Sequence, residues 1–200
     1  MYWAKEVSTD ATDQYISTAN AKAHLKVDIS DDDALIDALV VASSNHIEEY
    51  LGRTMVPKTL KLYMDGFPFD GRSILLPDSP TVSITSVEYV DGDGTTQVWD
   101  SSNYSIDLIS IPARLSSAYN VSYPSTRSQN NSVIVTYVAG YTVTNGVTDG
   151  PAAIEHAAKL MLGSLYDIRE NDCPAQFYSP SLGFKTLLAP YRVYYRGPWV

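Results

Sequence analysis

The sequence has very little cysteine, with Cys173 as the single thiol in 200 residues. One thiol excludes an internal disulfide and suits a chain that folds in a reducing cytoplasm. Histidine is also scarce, with three in the chain, so no zinc-type Cys/His spacing is present and a Cys–His nucleophilic pair is not favoured. The apolar runs are too short to cross a bilayer, and the N-terminus lacks the pattern of a signal peptide. We therefore expect a protein made in the cytoplasm that contacts no membrane.

Basic residues are fewer than acidic ones: the chain has 14 Lys and Arg and 23 Asp and Glu, which gives a net charge of −9. This balance opposes the attraction to phosphates that supplies most non-specific affinity for nucleic acid, so tight DNA binding is disfavoured. A hydrophobic content of 44% is enough to build a core without metals or disulfides.

Motifs for catalysis and metal binding are missing. Neither a phosphate-binding glycine loop nor a G-x-S-x-G elbow occurs. His46 and Glu49 could share a metal on one helix face, but no further ligand is indicated nearby. The run Asp91-Gly92-Asp93-Gly94 has Thr95 and Ser102 where an EF-hand needs its fifth and twelfth ligands, so a hairpin turn is favoured. We predict no catalytic, metal or cofactor-binding residue and no cofactor.

A long amphipathic helix is predicted over residues 32–51. Asp31 to Asp33 suit its positive N-terminal end, and Gly52 suits a left-handed cap at its end. A short helix at 18–26, capped by Ser17, is predicted before it. Residues 1–16 show no periodic spacing of apolar residues and are predicted to form an arm. The apolar face of the long helix has spacings of three and four and comprises Ile36, Leu39, Val40, Ser43, Ile47, Tyr50 and Leu51.

The middle of the chain changes to the alternation of strands. Leu60, Leu62 and Met64 alternate with polar residues, and the Asp91–Gly94 turn separates two further strands. Another strand is predicted at 104–108, a long polar loop at 116–131, and a strand at 133–138 that closes the sheet.

Helices return after Pro151, which stands in a first turn where its missing N–H costs nothing. This third helix carries an apolar stripe and ends near Asn171, and a last helix at 182–189 stops before Pro190. The sequence thus predicts an α+β fold, a helical frame of two N-terminal and two C-terminal helices with an inserted antiparallel β-sheet subdomain. Within one structural domain, we divide the chain into an N-terminal arm and helices (1–57), the inserted β subdomain (58–147), C-terminal helices (148–189) and a C-terminal arm (190–200).

Aromatic residues are abundant, with 15 Tyr and 3 Trp, and they crowd the C-terminus beside arginines. Tyr, Trp and Arg are the usual anchors of protein interfaces. The alternative is that these side chains pack back onto the chain's own core. We predict partner binding by Tyr191, Arg192, Tyr194, Tyr195, Arg196 and Trp199.

Several stretches resemble, in order and spacing, one family of virion proteins. They are Ala21 to Asp28 (AKAHLKVD), Asp32 to Ile36 (DDALI), Glu49 with Gly52 and Arg53, Leu76-Pro77, Val87 to Asp91, Pro112 to Arg114, Val138 to Tyr141, the helix from Pro151, and Leu187 to Arg192. In these stretches the chain resembles the head–tail connector (adaptor) proteins of tailed bacteriophages.

The resemblance implies a structural protein of the virion neck and no enzyme. Copies would form a dodecameric ring beneath the portal protein, which the C-terminal arm would engage. The ring would extend the DNA channel, with the genome passing without specific binding, and would dock the next neck or tail component, a stopper or tail terminator. An acidic channel wall would repel DNA phosphates, although a generally acidic surface accounts for the charge equally well.

Two other functions remain open from the sequence. One is a tail-completion or baseplate-type interaction protein without portal contact. The other, less favoured, is a small hydrolase whose Ser/His/Asp set assembles only in three dimensions.

Overall fold

The computed structural model describes residues 2–144, 147–168, 182–194 and 197–198. Helices and antiparallel strands both occur among them, so the α+β prediction is confirmed. The chain divides into two compact units, which we call the sheet unit and the helical unit. The sheet unit comprises Met1–Ala11, Gly52–Gly140 and Val193–Val200, and the helical unit comprises Thr12–Leu51 and Tyr141–Arg192.

The sheet unit contains two antiparallel sheets. The larger has the strand order β1-β2-β8-β4-β5, and the smaller has the order β3-β7-β6. The sequence predicted one sheet and missed the short strands β3 and β7. The strands are β1 (Trp3–Thr9), β2 (Lys58–Met64), β3 (Ile74–Leu76), β4 (Thr81–Val90), β5 (Thr96–Val98), β6 (Tyr104–Asp107), β7 (Ala113–Ser117) and β8 (Val133–Ala139).

One hydrophobic core joins the two sheets. The predicted alternation of Leu60, Leu62 and Met64 is confirmed, since all three are buried while their neighbours on β2 are half-buried. They share the core with alternate residues of β8 and with Ile74 and Leu115 of the smaller sheet. Burying the sheet's apolar face in this way is the main source of its stability.

Strand β8 lies in the centre of the larger sheet, paired with β2 on one side and β4 on the other. Strand β8 is the last strand of this sheet along the chain, as predicted, but its central position in the sheet was not predicted. The alternation of a strand identifies its buried face but carries no information on which distant strands flank it.

Residues Trp3–Thr9 form the edge strand β1, not the arm predicted from the sequence. All seven residues are exposed, so no buried face imposes a period of two on the sequence. Backbone pairing with β2 and two side-chain contacts hold the strand: Lys5 Nζ lies 2.7 Å from Asp78 Oδ1, and Tyr63 Oη donates to Glu6 at 2.7 Å.

The hairpin predicted at Asp91–Gly94 is confirmed, with Val90 opposite Thr96. Asp91 accepts hydrogen bonds from Gln97 Nε2 and from the backbone N–H groups of Thr95 and Asp93, and these bonds lower the pKa of its carboxyl. The polar loop is also present, because no strand or helix occurs between Ser117 and Val133.

The helical unit contains α1 (Thr18–Leu25), α2 (Asp33–Leu51), α3 (Ala152–Asp167) and α4 (Leu182–Leu188), with a small strand pair β9 (Val143–Thr144) and β10 (Val147–Thr148). The predicted caps are confirmed: Ser17 accepts a hydrogen bond from Asn20 N, and Gly52 has φ of 63°. The predicted face of α2 is buried at Ile36, Val40 and Ile47. The helix α3 ends at Asp167, and the predicted end at Asn171 lies outside the described residues.

Candidate interaction surfaces

The start of α2 is tied to the neighbouring helices by its acidic residues. Tyr166 Oη on α3 donates to Asp32 at 2.5 Å, and Lys22 Nζ on α1 lies 2.6 Å from Asp33 Oδ1. Thr18 donates to Asp37 at 2.6 Å. These carboxylates therefore position helices within the helical unit.

The side of α2 that faces solvent is apolar, a feature that the sequence analysis missed. Leu35 is 36% exposed and Val41 is 49% exposed. Ala34, Ala38 and Ala42 are exposed beside them. The alanines, Leu35 and Val41 also recur at spacings of three and four, but the larger apolar residues of the buried face dominate the pattern of this helix. Helix α2 thus has two apolar sides.

The C-terminal segment begins where α4 ends. A single 3-10 turn, Ala189–Tyr191, follows Leu188, since Pro190 cannot continue an α-helix. Beyond the turn, the guanidinium carbon of Arg192 lies 4.9 Å from the centre of the Tyr50 ring on α2. This cation–π contact fixes the segment on the helical unit.

The following residues pack on the sheet unit. The Leu75 N–H of β3 donates to the Pro198 carbonyl at 2.6 Å. A side chain at Gly52 would come within 2.7 Å of the Val193 carbonyl oxygen, so the segment runs close over that glycine. Gly197 and Pro198 are both buried. These contacts hold the backbone at Val193 and Pro198 against the sheet unit and involve none of the C-terminal aromatic side chains.

The six predicted partner-binding residues differ in their exposure and in whether the structure describes them. Tyr191 is half-buried, Arg192 is exposed beside Tyr50, and Tyr194 is 72% exposed. Tyr195, Arg196 and Trp199 lie outside the described residues. Portal binding by this segment stays a prediction.

The polar and aromatic side chains of the helical unit make contacts that support its fold. His46 is exposed, with its ring centroid 6.2 Å from that of Phe184. Burial raises the pKa of the Tyr15 hydroxyl, and the nearby Tyr141, Glu155 and Asp149 add to the shift. Within the described part of the chain, no three His, Cys, Asp or Glu side chains are grouped to hold a metal. None of the described helices is long and apolar enough to span a membrane.

Residues 15–86 match the family model described as phage gp6-like head–tail connector protein. This part of the chain is thus similar to phage head–tail connectors. The match begins at the buried Tyr15 and covers α1, α2, β2, β3 and the first part of β4, but not β1. No curated protein sequence matches this chain at a significant level.

Solved structures resemble the chain over nearly its whole length. A chain in the virion of a native gene transfer agent particle has a TM-score of 0.77 and 17% identity and covers 96% of each chain. A chain in the neck of the empty particle, computed with C6 symmetry, has a TM-score of 0.74 and 16% identity over 99% of this chain and 100% of that chain. A chain in the neck of the native particle, computed with C12 symmetry, has a TM-score of 0.71 and 17% identity, and the match covers 99% of this chain and 100% of that chain. At such low identity these likenesses establish the fold.

The match to head–tail connectors, together with the likeness to chains of a particle neck, supports a structural role in the virion neck. The same match argues against an enzyme.

Proposed function

We propose that the connector assembles as a dodecameric ring beneath the portal, extends the DNA channel and offers a docking surface to the next neck or tail component. The observation that carries the proposal is the match of residues 15–86 to head–tail connectors. The full-length likeness to chains from a neck computed with C12 symmetry supports the ring.

Side-by-side contacts in the ring would use the apolar outer side of α2. Leu35 and Val41 are long enough to enter a neighbour's surface, and the alanines between them allow close approach of a helix. In a ring, each contact joins two different surfaces of neighbouring copies and repeats until the circle closes. The exposed side of α2 supplies one such surface.

The C-terminal segment would supply the contact with the portal. Tyr194 is 72% exposed and lies two residues after Arg192, whose guanidinium contacts the Tyr50 ring. An aromatic side chain held in this way loses little entropy on binding, which favours its use as an anchor.

The charge of the connector suits a channel for DNA. A net charge of −9 gives the protein no general attraction for phosphates, so a genome could move past it without adhering.

The test is a count of copies in purified virions by quantitative mass spectrometry, with the portal protein as internal reference. We expect the connector and the portal protein at equal abundance. Absence of the connector from the particle, or a copy number far below that of the portal, would overturn the proposal. A normal count in particles whose connector detaches with the tail would favour a tail-completion protein without portal contact.

A further inference from the structure

The loop between β6 and β7, residues 108–112, presents aliphatic side chains to solvent, and we call it the aliphatic loop. Ile109 is 95% exposed, Ile111 is 53% exposed and Leu108 is 42% exposed. The loop carries no charge, in a chain whose net charge is −9. Exposing three aliphatic residues within a stretch of four is costly in water and typical of an interface.

A single carboxylate orders this loop. Asp107 accepts hydrogen bonds from the backbone N–H groups of Ile109 and Ser110, from Ser110 Oγ at 2.6 Å and from Arg114 at 2.6 Å. These bonds hold the pKa of Asp107 well below its usual range. The exposed aliphatic residues are therefore displayed on a preformed loop, which lowers the entropic cost of binding.

The other end of the same small sheet has an uncharged groove with a cavity volume of about 490 Å³, and we call it the aromatic groove. Its lining combines Phe67, Phe69, Val121 and Tyr123 with two prolines, a glycine, three serines and a threonine. The Phe67 and Tyr123 rings stack at 5.1 Å, and Tyr123 Oη donates to the Arg72 carbonyl at 2.9 Å, so the floor is fixed. Phe69 at the rim is 96% exposed.

The two surfaces cannot meet within one chain. The aliphatic loop directly precedes Ala113, the first residue of β7, whereas the groove residue Val121 follows Ser117, its last residue. Five residues of extended strand separate the two ends by roughly 13–17 Å. A loop and a groove at opposite ends of one element are suited to a contact that repeats head to tail.

We propose that the aliphatic loop of one copy inserts into the aromatic groove of the next copy. The occupant of the groove is thus a second copy of this chain, because the chain itself displays an uncharged aliphatic loop of matching chemistry. The contact covers the exposed aliphatic side chains of the loop and Phe69 at once, and it adds a contact between the sheet units of neighbouring copies to the one along α2. This inference rests on the proposed ring.

The test is cross-linking inside assembled particles. The chain carries Phe69→Cys and Ile109→Cys on a Cys173→Ser background, and the particles are treated with a short bismaleimide. We expect a ladder of covalent multimers of the connector on a denaturing gel. Either single substitution should give no ladder, and neither should Phe69→Cys combined with Val98→Cys, a position on β5 that is 69% exposed.

The outcomes separate this inference from the proposed function. Particles that contain the connector at the abundance of the portal but yield only monomers would overturn the loop-and-groove contact and leave the ring standing. A cross-link from position 109 to a different virion protein would also overturn it. Loss of the connector from untreated, unsubstituted particles would instead contradict the proposed function.

A second variant keeps the test independent of cross-linking. Ile109→Asp should reduce incorporation of the connector into particles at least tenfold, while Val98→Asp should leave it unchanged. Both side chains are largely exposed, so circular dichroism of the purified variants should match that of the parent chain. Normal incorporation of Ile109→Asp would refute the contact.

Discussion

Gly140 occupies a position that only glycine can fill. Its φ is 135°, and a Cβ would overlap the Val56 carbonyl and lie 2.6 Å from Pro57 N. Its N–H donates to the Pro80 carbonyl at 2.8 Å, so the backbone cannot move away without losing that bond. The residue allows the end of β8 to pass close to the segment that leads into β2.

We expect Gly140→Ala to destabilise the protein by on the order of 3 kcal/mol, the sum of backbone strain and overpacking. The matched control is Gly92→Ala in the Asp91–Gly94 turn, where an added Cβ meets nothing within 4 Å. Urea unfolding followed by circular dichroism measures both. Equal midpoints for the two variants would contradict the prediction.

Tyr15 links the stability of the helical unit to pH, because burial raises the pKa of its hydroxyl above the ordinary value. A raised folded-state pKa means that the contribution is fully present below the unfolded pKa of about 10 and is lost as pH rises above it.

We therefore expect the parent chain to lose about 1.4 kcal/mol per pH unit relative to Tyr15→Phe once the pH exceeds about 10. The measurement is urea unfolding of both chains between pH 8 and 11, since the other tyrosines cancel in the difference. A difference in stability that stays constant over this range would show that Tyr15 does not titrate in this way.

At the scale of elements, β1 and β8 have the same length but different support. The seven residues of β1 are all exposed, and its ion pair with Asp78 is the kind worth little in water. The seven residues of β8 pair on both sides, and alternate ones are fully buried. Local opening should therefore begin at β1.

Hydrogen exchange followed by mass spectrometry tests this order. Amides of β1 should exchange through local opening long before those of β8, which should open only with global unfolding. Similar protection of the two strands would mean that β1 is covered by something the single chain does not provide.

Elements with local signals could be predicted from the sequence. The helix α2 was predictable because its spacing, its acidic start and Gly52 all lie within about 20 residues. The strand β3 was not, since Ile74–Leu76 is too short to display alternation. The strand β1 is long enough to show alternation, but both of its faces are exposed, so its sequence does not alternate between apolar and polar residues.

The candidate surfaces were predictable only in part. The aromatic and basic composition of the C-terminus identified Tyr194, which is exposed, but the contact of Arg192 with Tyr50 joins positions far apart in the sequence. The aliphatic loop was missed because a short apolar run such as residues 108–112 reads equally well as buried strand. Exposure depends on tertiary structure and has no local signature.

At the scale of the whole molecule, portal attachment should depend on Tyr194. We expect Tyr194→Ala to give particles that leak DNA or lack tails, since the variant removes an exposed aromatic anchor. The matched control is Tyr119→Ala, which alters a tyrosine that is 93% exposed on the polar loop. Genome retention and tail attachment can be scored by nuclease protection and electron microscopy.

Two results would contradict this prediction. Full genome retention with Tyr194→Ala would remove the C-terminal segment from the portal contact. Equal defects in both variants would point to a general effect of tyrosine loss on assembly.

The central place of β8 also has a consequence for biosynthesis. Its partners β2 and β4 are complete by Val90, but β8 ends only at Ala139. At translation rates of about 5–20 residues per second, β8 is completed roughly 2–10 s after β2 and β4. Until then each has an open edge that can pair with another nascent chain. The sheet unit therefore completes late in synthesis, and polypeptides released before Ala139 should aggregate.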